Sequence, residues 1–222
     1  MKKKIVGIAS LPERKECLEE TVFSLYDQID KIVIGLNNYD DVPYFLHMKK
    51  IECYLLDNSL GDAAKFYKID EYTNDYYFAC DDDIIYPNNY CETLIQKSKK
   101  YNSIIGLHGV NVVKPVKSYY KNRTVYHGFH KLNSDTEVDL VATSSCLIDT
   151  SILKISLSDF PIPNMADIWL ADLAKKQNIK SYSIERGQGW LKYCDYMEDK
   201  WTIYDDFKNK KDYEQTKIVS KW

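Results

Sequence analysis

The chain opens on an uninterrupted apolar run, "KKIVGIAS", rich in β-branched residues. Such a run predicts a strand buried on both faces. "SLPERKECLEETVFSLYDQ" then places Leu18, Val22 and Leu25 at helical spacing. Ser10 and Glu13 fit a capping box there, and Pro12 suits a first turn. "DKIVIGL" and "IECYLLD" predict a second and a third strand, and "LGDAAKFYKIDEY" a helix. "DYYFAC" predicts a fourth strand, followed by the helix "PNNYCETLIQKSKK", opened by Pro87 with Asn88 or Asn89 as its cap. "SIIGLHGV" is the fifth strand. Strands alternating with helices in this way imply βαβ units: an α/β fold with a mostly parallel sheet and helices on both faces.

After about Val113 the pattern changes. "KPVKSYYKNRTVYHGFHK" has the alternating and aromatic character of a hairpin or an irregular excursion, "EVDLVATSSCLID" returns as a strand pair, "MADIWLADLAKKQ" is a short amphipathic helix and "IKSYSIE" a last strand. Residues 1–194 are therefore expected to share one core, in halves of about 1–110 and 111–194. Residues 195–222 form a helical or flexible tail. Its Trp201, Tyr204, Phe207 and Tyr213 lie near helical spacing, which suits packing on the domain, a dimer contact or peripheral attachment to a membrane surface.

Composition narrows this picture without naming an activity. The 222 residues are 45% hydrophobic and 28% charged, with a formal net charge of -3 and no basic block of the kind that tracks a nucleic-acid backbone. The apolar part of "MKKKIVGIAS" is too short for a signal peptide, and no run approaches the ~18 apolar residues of a membrane span. The six cysteines are scattered without a C-x-x-C pair, which suits reduced thiols and a cytoplasmic location.

The chemistry concentrates in "YYFACDDDIIYP" (76–87), where three aspartates follow a buried strand. Ligands of open α/β sheets bind at the carboxyl ends of the strands. If the chain stays extended, Asp81 and Asp83 point to one side and Asp82 to the other. Two ionised carboxylates on one side need a cation between them. Mg²⁺ or Mn²⁺ suits such an oxygen site, and Lys65 is the alternative partner. The glycine and terminal glutamate of a calcium loop are missing.

A strand ending in D-x-D within a βαβ-rich domain resembles the nucleotide-sugar domain of GT-A glycosyltransferases, in particular the inverting family-2-like enzymes of bacterial surface-glycan synthesis. The resemblance runs over about residues 4–185. It rests on "VGIASLPER", "KIVIGLNN", "LLDNSLGDAAKFYKIDEYTNDYYFACDDD", "VDLVATSSCLIDTSIL" and "NMADIWLADLAKK". It implies that residues 1–110 bind the nucleotide-sugar and that 111–194 receive the acceptor. Ser10 and Arg14 would lie near the base and diphosphate, Asn37 and Asp57 near the uracil or ribose, and Asp62 and Lys65 against the sugar or diphosphate. Asp81 would reach the ribose or metal, Asp83 would be the firmest metal ligand, and Asp82 belongs to the same donor-binding set. Asp167 would take the proton from the acceptor hydroxyl, with Asp172 the weaker choice. His127, His130, Trp169 and Trp190 are candidate acceptor contacts. The implied partners are a UDP-sugar and a glycan or lipid-linked glycan, with Mn²⁺ or Mg²⁺ as cofactor, at the inner face of the membrane.

Structural roles stand beside these. Asp57 and Asp62 also suit helix capping, His108 a hydrogen-bonded core position, and both tryptophans burial. Two other functions compete. A nucleotidyltransferase would use a related sheet and carboxylate-held Mg²⁺, but "ASLPERK" lacks the glycines of its phosphate loop. A non-catalytic glycan- or nucleotide-binding protein would not need Asp81, Asp83 and Asp167 together.

Overall fold

The computed structural model describes residues 1–197 and 212–222. Trp201, Tyr204 and Phe207 of the tail lie outside the described residues. The elements in chain order are β1 (Lys4–Ser10), α1 (Lys15–Tyr26), β2 (Lys31–Asn37), β3 (Ile51–Leu56), β4 (Tyr76–Asp81), β5 (Ile84–Ile85) and α2 (Tyr90–Tyr101). There follow β6 (Ile104–Gly106), β7 (Gly109–Val112), β8 (Arg123–Tyr126), β9 (Thr136–Val138), β10 (Leu140–Val141) and β11 (Ser145–Asp149). The last are α3 (Ala166–Lys176), β12 (Ser181–Ser183), β13 (Lys192–Tyr193) and a C-terminal helix, Tyr213–Val219.

Eight strands form one mostly parallel sheet in the order β3-β2-β1-β4-β11-β6-β12-β9. β1 pairs in parallel with β2 on one side and β4 on the other, setting Ser10 beside Leu36 and Ala9 beside Asp81. The strand order reverses at β1/β4, the point where open α/β sheets make their crevice. β11 is inserted antiparallel between β4 and β6, so its first residues return to the same edge.

The apolar faces explain the layers. Leu18, Val22 and Leu25 of α1 and Cys91, Leu94 and Ile95 of α2 pack with Val6, Ile8, Ile34 and Phe78 on one face. The other face buries Ile5, Val33, Tyr77 and Ile148 under Phe66 and under Ala166, Leu170 and Ala174 of α3. The C-terminal helix buries Ile218 and Val219 against Met165, Ile168 and Ala171.

Several sequence expectations change. The helix expected over "LGDAAKFYKIDEY" is two 3-10 segments, Gly61–Phe66 and Ile69–Glu71. Ala63, Ala64, Lys65 and Phe66 are all buried, and four successive buried residues exceed the single apolar stripe of a surface helix. A Cβ on Gly7 would stand 2.0 Å from the Lys65 carbonyl oxygen, so β1 carries glycine where this segment lies on it. The Ser10–Glu13 capping box does not form. Ser10 ends β1, and a 3-10 turn over Pro12–Arg14 precedes α1 without a side-chain cap. "SIIGLHGV" breaks at Leu107–His108 into β6 and β7, which join different sheets. Residues 114–131 do not form a hairpin by themselves: β8 pairs antiparallel with β7, which lies before that segment.

Candidate active site

β1, β2 and β4 end together at Ser10, Asn37 and Asp81, around a cleft also lined by Leu11, Arg14, Asn58, Gly61, Asp62, Lys65, Asp82 and Asn164. β4 stops at Asp81, and Asp82 and Asp83 turn the chain into β5. The extended alternation expected for the triplet therefore does not hold. Arg14 donates from one Nη1 to Asp82 Oδ1 and Asp83 Oδ2, each at 3.1 Å. Asp81 pairs instead with Lys65, whose ammonium also donates to the Thr143 carbonyl at 3.3 Å. The turn pins Asp81 further: the Tyr86 hydroxyl accepts from the Asp81 amide at 3.0 Å and donates to the Ser144 carbonyl at 2.5 Å.

Charge in the cleft is unbalanced. Asp62, Asp81, Asp82, Asp83 and Asp167 interact with one another and with Arg14 and Lys65. Five carboxylates against two cations leave an excess of three negative charges when all are ionised. Burial, with repulsion from Asp81 and Asp82, pushes Asp83 up to about 7. Burial likewise lifts Asp82 and Asp167, and pushes Asp62 up to about 6. Burial alone would lower the Lys65 ammonium, but Asp81 and Asp62 hold it above its ordinary value.

Three buried oxygens of the cleft have no hydrogen-bond partner: Asn37 Oδ1, Asp62 Oδ1 and Asp82 Oδ2. All are acceptors in these residues' ordinary states, so a ligand completing the cleft must bring N–H or O–H donors or a cation. The other atoms of these side chains build the walls. Asn37 Nδ2 donates to the Gly61 carbonyl at 3.0 Å, and Asp62 Oδ2 accepts from the Ala166 amide at 3.0 Å, at the start of α3. At the next residue, in the first turn of α3, Asp167 Oδ1 accepts from the amide and the hydroxyl of Thr143, each at 2.7 Å. Its Oδ2 carries no hydrogen bond among the described residues.

The carboxylates form a hard-oxygen donor set with surplus charge and an orphaned oxygen, which fits a divalent cation such as Mg²⁺ or Mn²⁺. Among the described residues no three His, Cys, Asp or Glu side chains form a ready metal cage. The ion would therefore take one or two carboxylates from the protein and fill its remaining positions from phosphates and water.

The structure thus brings Ser10, Arg14, Asn37, Asp62, Lys65, Asp81, Asp82, Asp83 and Asp167 together. Asp57 stays exposed, accepting from the Ser59 amide in a turn, while its neighbour Asn58 lines the cleft. Trp169 packs between two apolar clusters with its indole N–H on the Ile162 carbonyl, and Trp190 packs toward Tyr90. Asp172 pairs with Lys176 and accepts from the Trp222 indole. Sequence reasoning missed Asn58, Thr143 and Asn164. Asn58 and Asn164 both adopt positive φ, which asparagine tolerates, and "DNS" and "PNM" are turn signals that marked them.

A separate cavity, lined by Lys4, Ser24, Gln28, Asn88 and Glu92 among others, has the larger volume, about 400 Å³ against about 120 Å³. Its lining contains no orphaned buried polar atom among the described residues, whereas the acidic cleft holds three.

No protein-family model matches the chain, and no curated protein matches it by sequence. Among solved structures it is similar to TarS residues 1–349 of S. aureus in complex with UDP-GlcNAc, with a TM-score of 0.55 at 14% identity. The likeness covers 98% of this chain and 69% of that one. The two share a Rossmann-like α/β fold.

Proposed function

We propose that the chain is a metal-dependent glycosyltransferase of the family-2-like, D-x-D type. It moves a sugar from a nucleoside diphosphate, a UDP-sugar, to a hydroxyl of a surface glycan, free or lipid-linked, with inversion. The observation that carries this reading is the charge imbalance at the β1/β4 crevice, combined with orphaned acceptors beside it. An anionic diphosphate enters a cleft with five carboxylates and two cations only together with a further cation. The orphaned Asn37 and Asp62 oxygens await the N–H and O–H groups that a nucleoside and a sugar carry. The fold's likeness to a protein solved with UDP-GlcNAc supports UDP as the nucleotide.

In this reading Asp83 and Asp81 hold Mn²⁺ or Mg²⁺, which when bound stabilises charge on the departing diphosphate. Arg14, which bridges Asp82 and Asp83, would supply a guanidinium to those phosphates, and Lys65 holds Asp81 in place. Asp167 takes the proton of the attacking hydroxyl on Oδ2. Thr143 fixes the opposite oxygen, and burial raises the carboxylate's basicity toward what a general base needs at neutral pH.

A thermal-shift series with UDP, GDP and CMP, with and without Mn²⁺, tests this. UDP at about a hundred times its Kd should add about 2.7 kcal/mol, roughly 5–10 °C for a chain of this size, only with metal. Asp83→Ala should abolish the shift. Asp167→Asn should keep it while losing sugar transfer and donor hydrolysis. A metal-independent shift, or an active Asp167→Asn enzyme, would overturn the assignment.

A further inference from the structure

At the same edge of the sheet, beyond the acidic cleft, a cluster of opposite character closes the acceptor half. His108 follows β6, His127 and His130 follow β8, and Arg186 follows β12. The three imidazoles touch in series, His108 edge-on to His127 at 5.2 Å and His127 stacked on His130 at 4.7 Å. Phe129 joins the cluster to the cleft by stacking on Tyr193 at 3.8 Å, and Tyr193 lies in the field of Asp83 and Asp81. On the other flank, Arg123 rests on the ring of Tyr119, whose hydroxyl feels Asp167, and its charge reaches His108.

This cluster carries donors and positive charge without acids. Arg186 is buried and gives its N–H groups to the carbonyls of His127, Gly128 and Ile184 and the hydroxyl of Ser183. Neither Arg123 nor Arg186 pairs with a carboxylate among the described residues, and the charged groups felt by His108 and His127 are all basic. A buried cation without a counter-charge is costly, and an unmade hydrogen bond adds to that cost. His127 Nδ1 is such an atom, buried and without a partner.

We propose that Arg123, His108, His127 and His130 form an oxyanion subsite for the acceptor, so that the acceptor glycan carries a phosphate or a carboxylate near the reacting hydroxyl. Arg186 positions the loop and supplies field, its hydrogen bonds being spent on the protein. The inference rests on the glycosyltransferase reading. A neutral glycan would call for carboxylates like those that line the donor cleft, and none pairs with this cluster among the described residues. The charge pattern also separates the two ligands: the acidic cleft accepts phosphate only with a cation, whereas this cluster accepts an anion alone.

The test uses the full chain without metal and follows the imidazole signals of His127 and His130 by NMR. sn-Glycerol 3-phosphate and glucuronate are titrated in turn, with glucose and matched sodium chloride as controls. Saturable shifts are expected with one or both anions below about 50 mM, and the tighter of the two identifies the oxyanion. Arg123→Met and His127→Gln should each weaken binding about tenfold, the worth of one charge-assisted contact. Equal shifts with glucose, no saturation, or unchanged affinity in both variants would overturn the subsite. UDP binding with Mn²⁺, measured on the same samples, should survive both substitutions. Its absence in the wild-type protein would sink the donor reading separately.

Discussion

Replacing Asp62 by asparagine should make the protein more stable and a poorer binder of its donor. Asp62 is pushed up to about 6 from 3.8, chiefly by burial, with the attraction of Lys65 already included. A carboxyl group with a raised native pKa favours folding while protonated. That contribution is complete below pH 3.8 and is lost as pH rises through about 6. The interval of about 2.2 pH units, at 1.36 kcal/mol each, amounts to about 3 kcal/mol. Asparagine keeps an oxygen for the Ala166 amide and carries no charge. At pH 8 the Asp62→Asn chain should therefore melt higher by roughly 6–12 °C, at 2–4 °C per kcal/mol for this length. At pH 5 the gap should shrink to about half. Calorimetry in the presence of a chelator, at both pH values, reads this directly. The variant should also lose affinity for the donor, because Asp62 Oδ1 is one of the three orphaned acceptors. A variant no more stable than wild type at pH 8, or a gap that does not shrink toward pH 5, would refute the reasoning.

Two further perturbations probe the same cleft. Arg14→Met removes the cation that bridges Asp82 and Asp83, so Mn²⁺ should bind the nucleotide-free protein about tenfold more tightly by electron paramagnetic resonance, while UDP affinity at saturating Mn²⁺ falls. Weaker Mn²⁺ binding would show that Arg14 organises the acids rather than competing for them. Gly7→Ala drives a methyl against the Lys65 carbonyl and the Tyr77 hydroxyl, and should cost about 3 kcal/mol in a denaturant titration. A cost near zero would mean that the Gly61–Phe66 segment is free to shift.

Much of the architecture was legible in the chain because parallel strands buried on both faces leave unbroken apolar runs, as in "KKIVGIAS" and "KIVIGLN". The cleft was legible for a related reason. Ser10, Asn37 and Asp81 are the first polar residues after such runs, and the sheet aligns its strand ends. What failed was local. The orientation of Asp82 and Asp83 depends on where β4 stops, and a turn starting one residue after Asp81 removes the alternation that extended backbone would impose. The 3-10 course of residues 61–66 depends on Gly7 lying beneath it, a contact between segments more than 50 positions apart. Thr143 could not be singled out in "ATSS", because its role is set by the antiparallel insertion of β11 and the approach of α3.

Thr143 also has a mechanical consequence. Its carbonyl receives Lys65, its amide and hydroxyl hold Asp167, and the next carbonyl, on Ser144, receives Tyr86. The groups assigned to leaving-group support and to proton removal therefore share one short anchor. In the proposed reaction a hinge that admits acceptor or releases product would lie outside residues 143–144, because moving within them would break these bonds. On that reading reactants would come and go around a fixed pivot, with the spacing between Asp167 and the Lys65–Asp81 pair set at folding, before either substrate arrives.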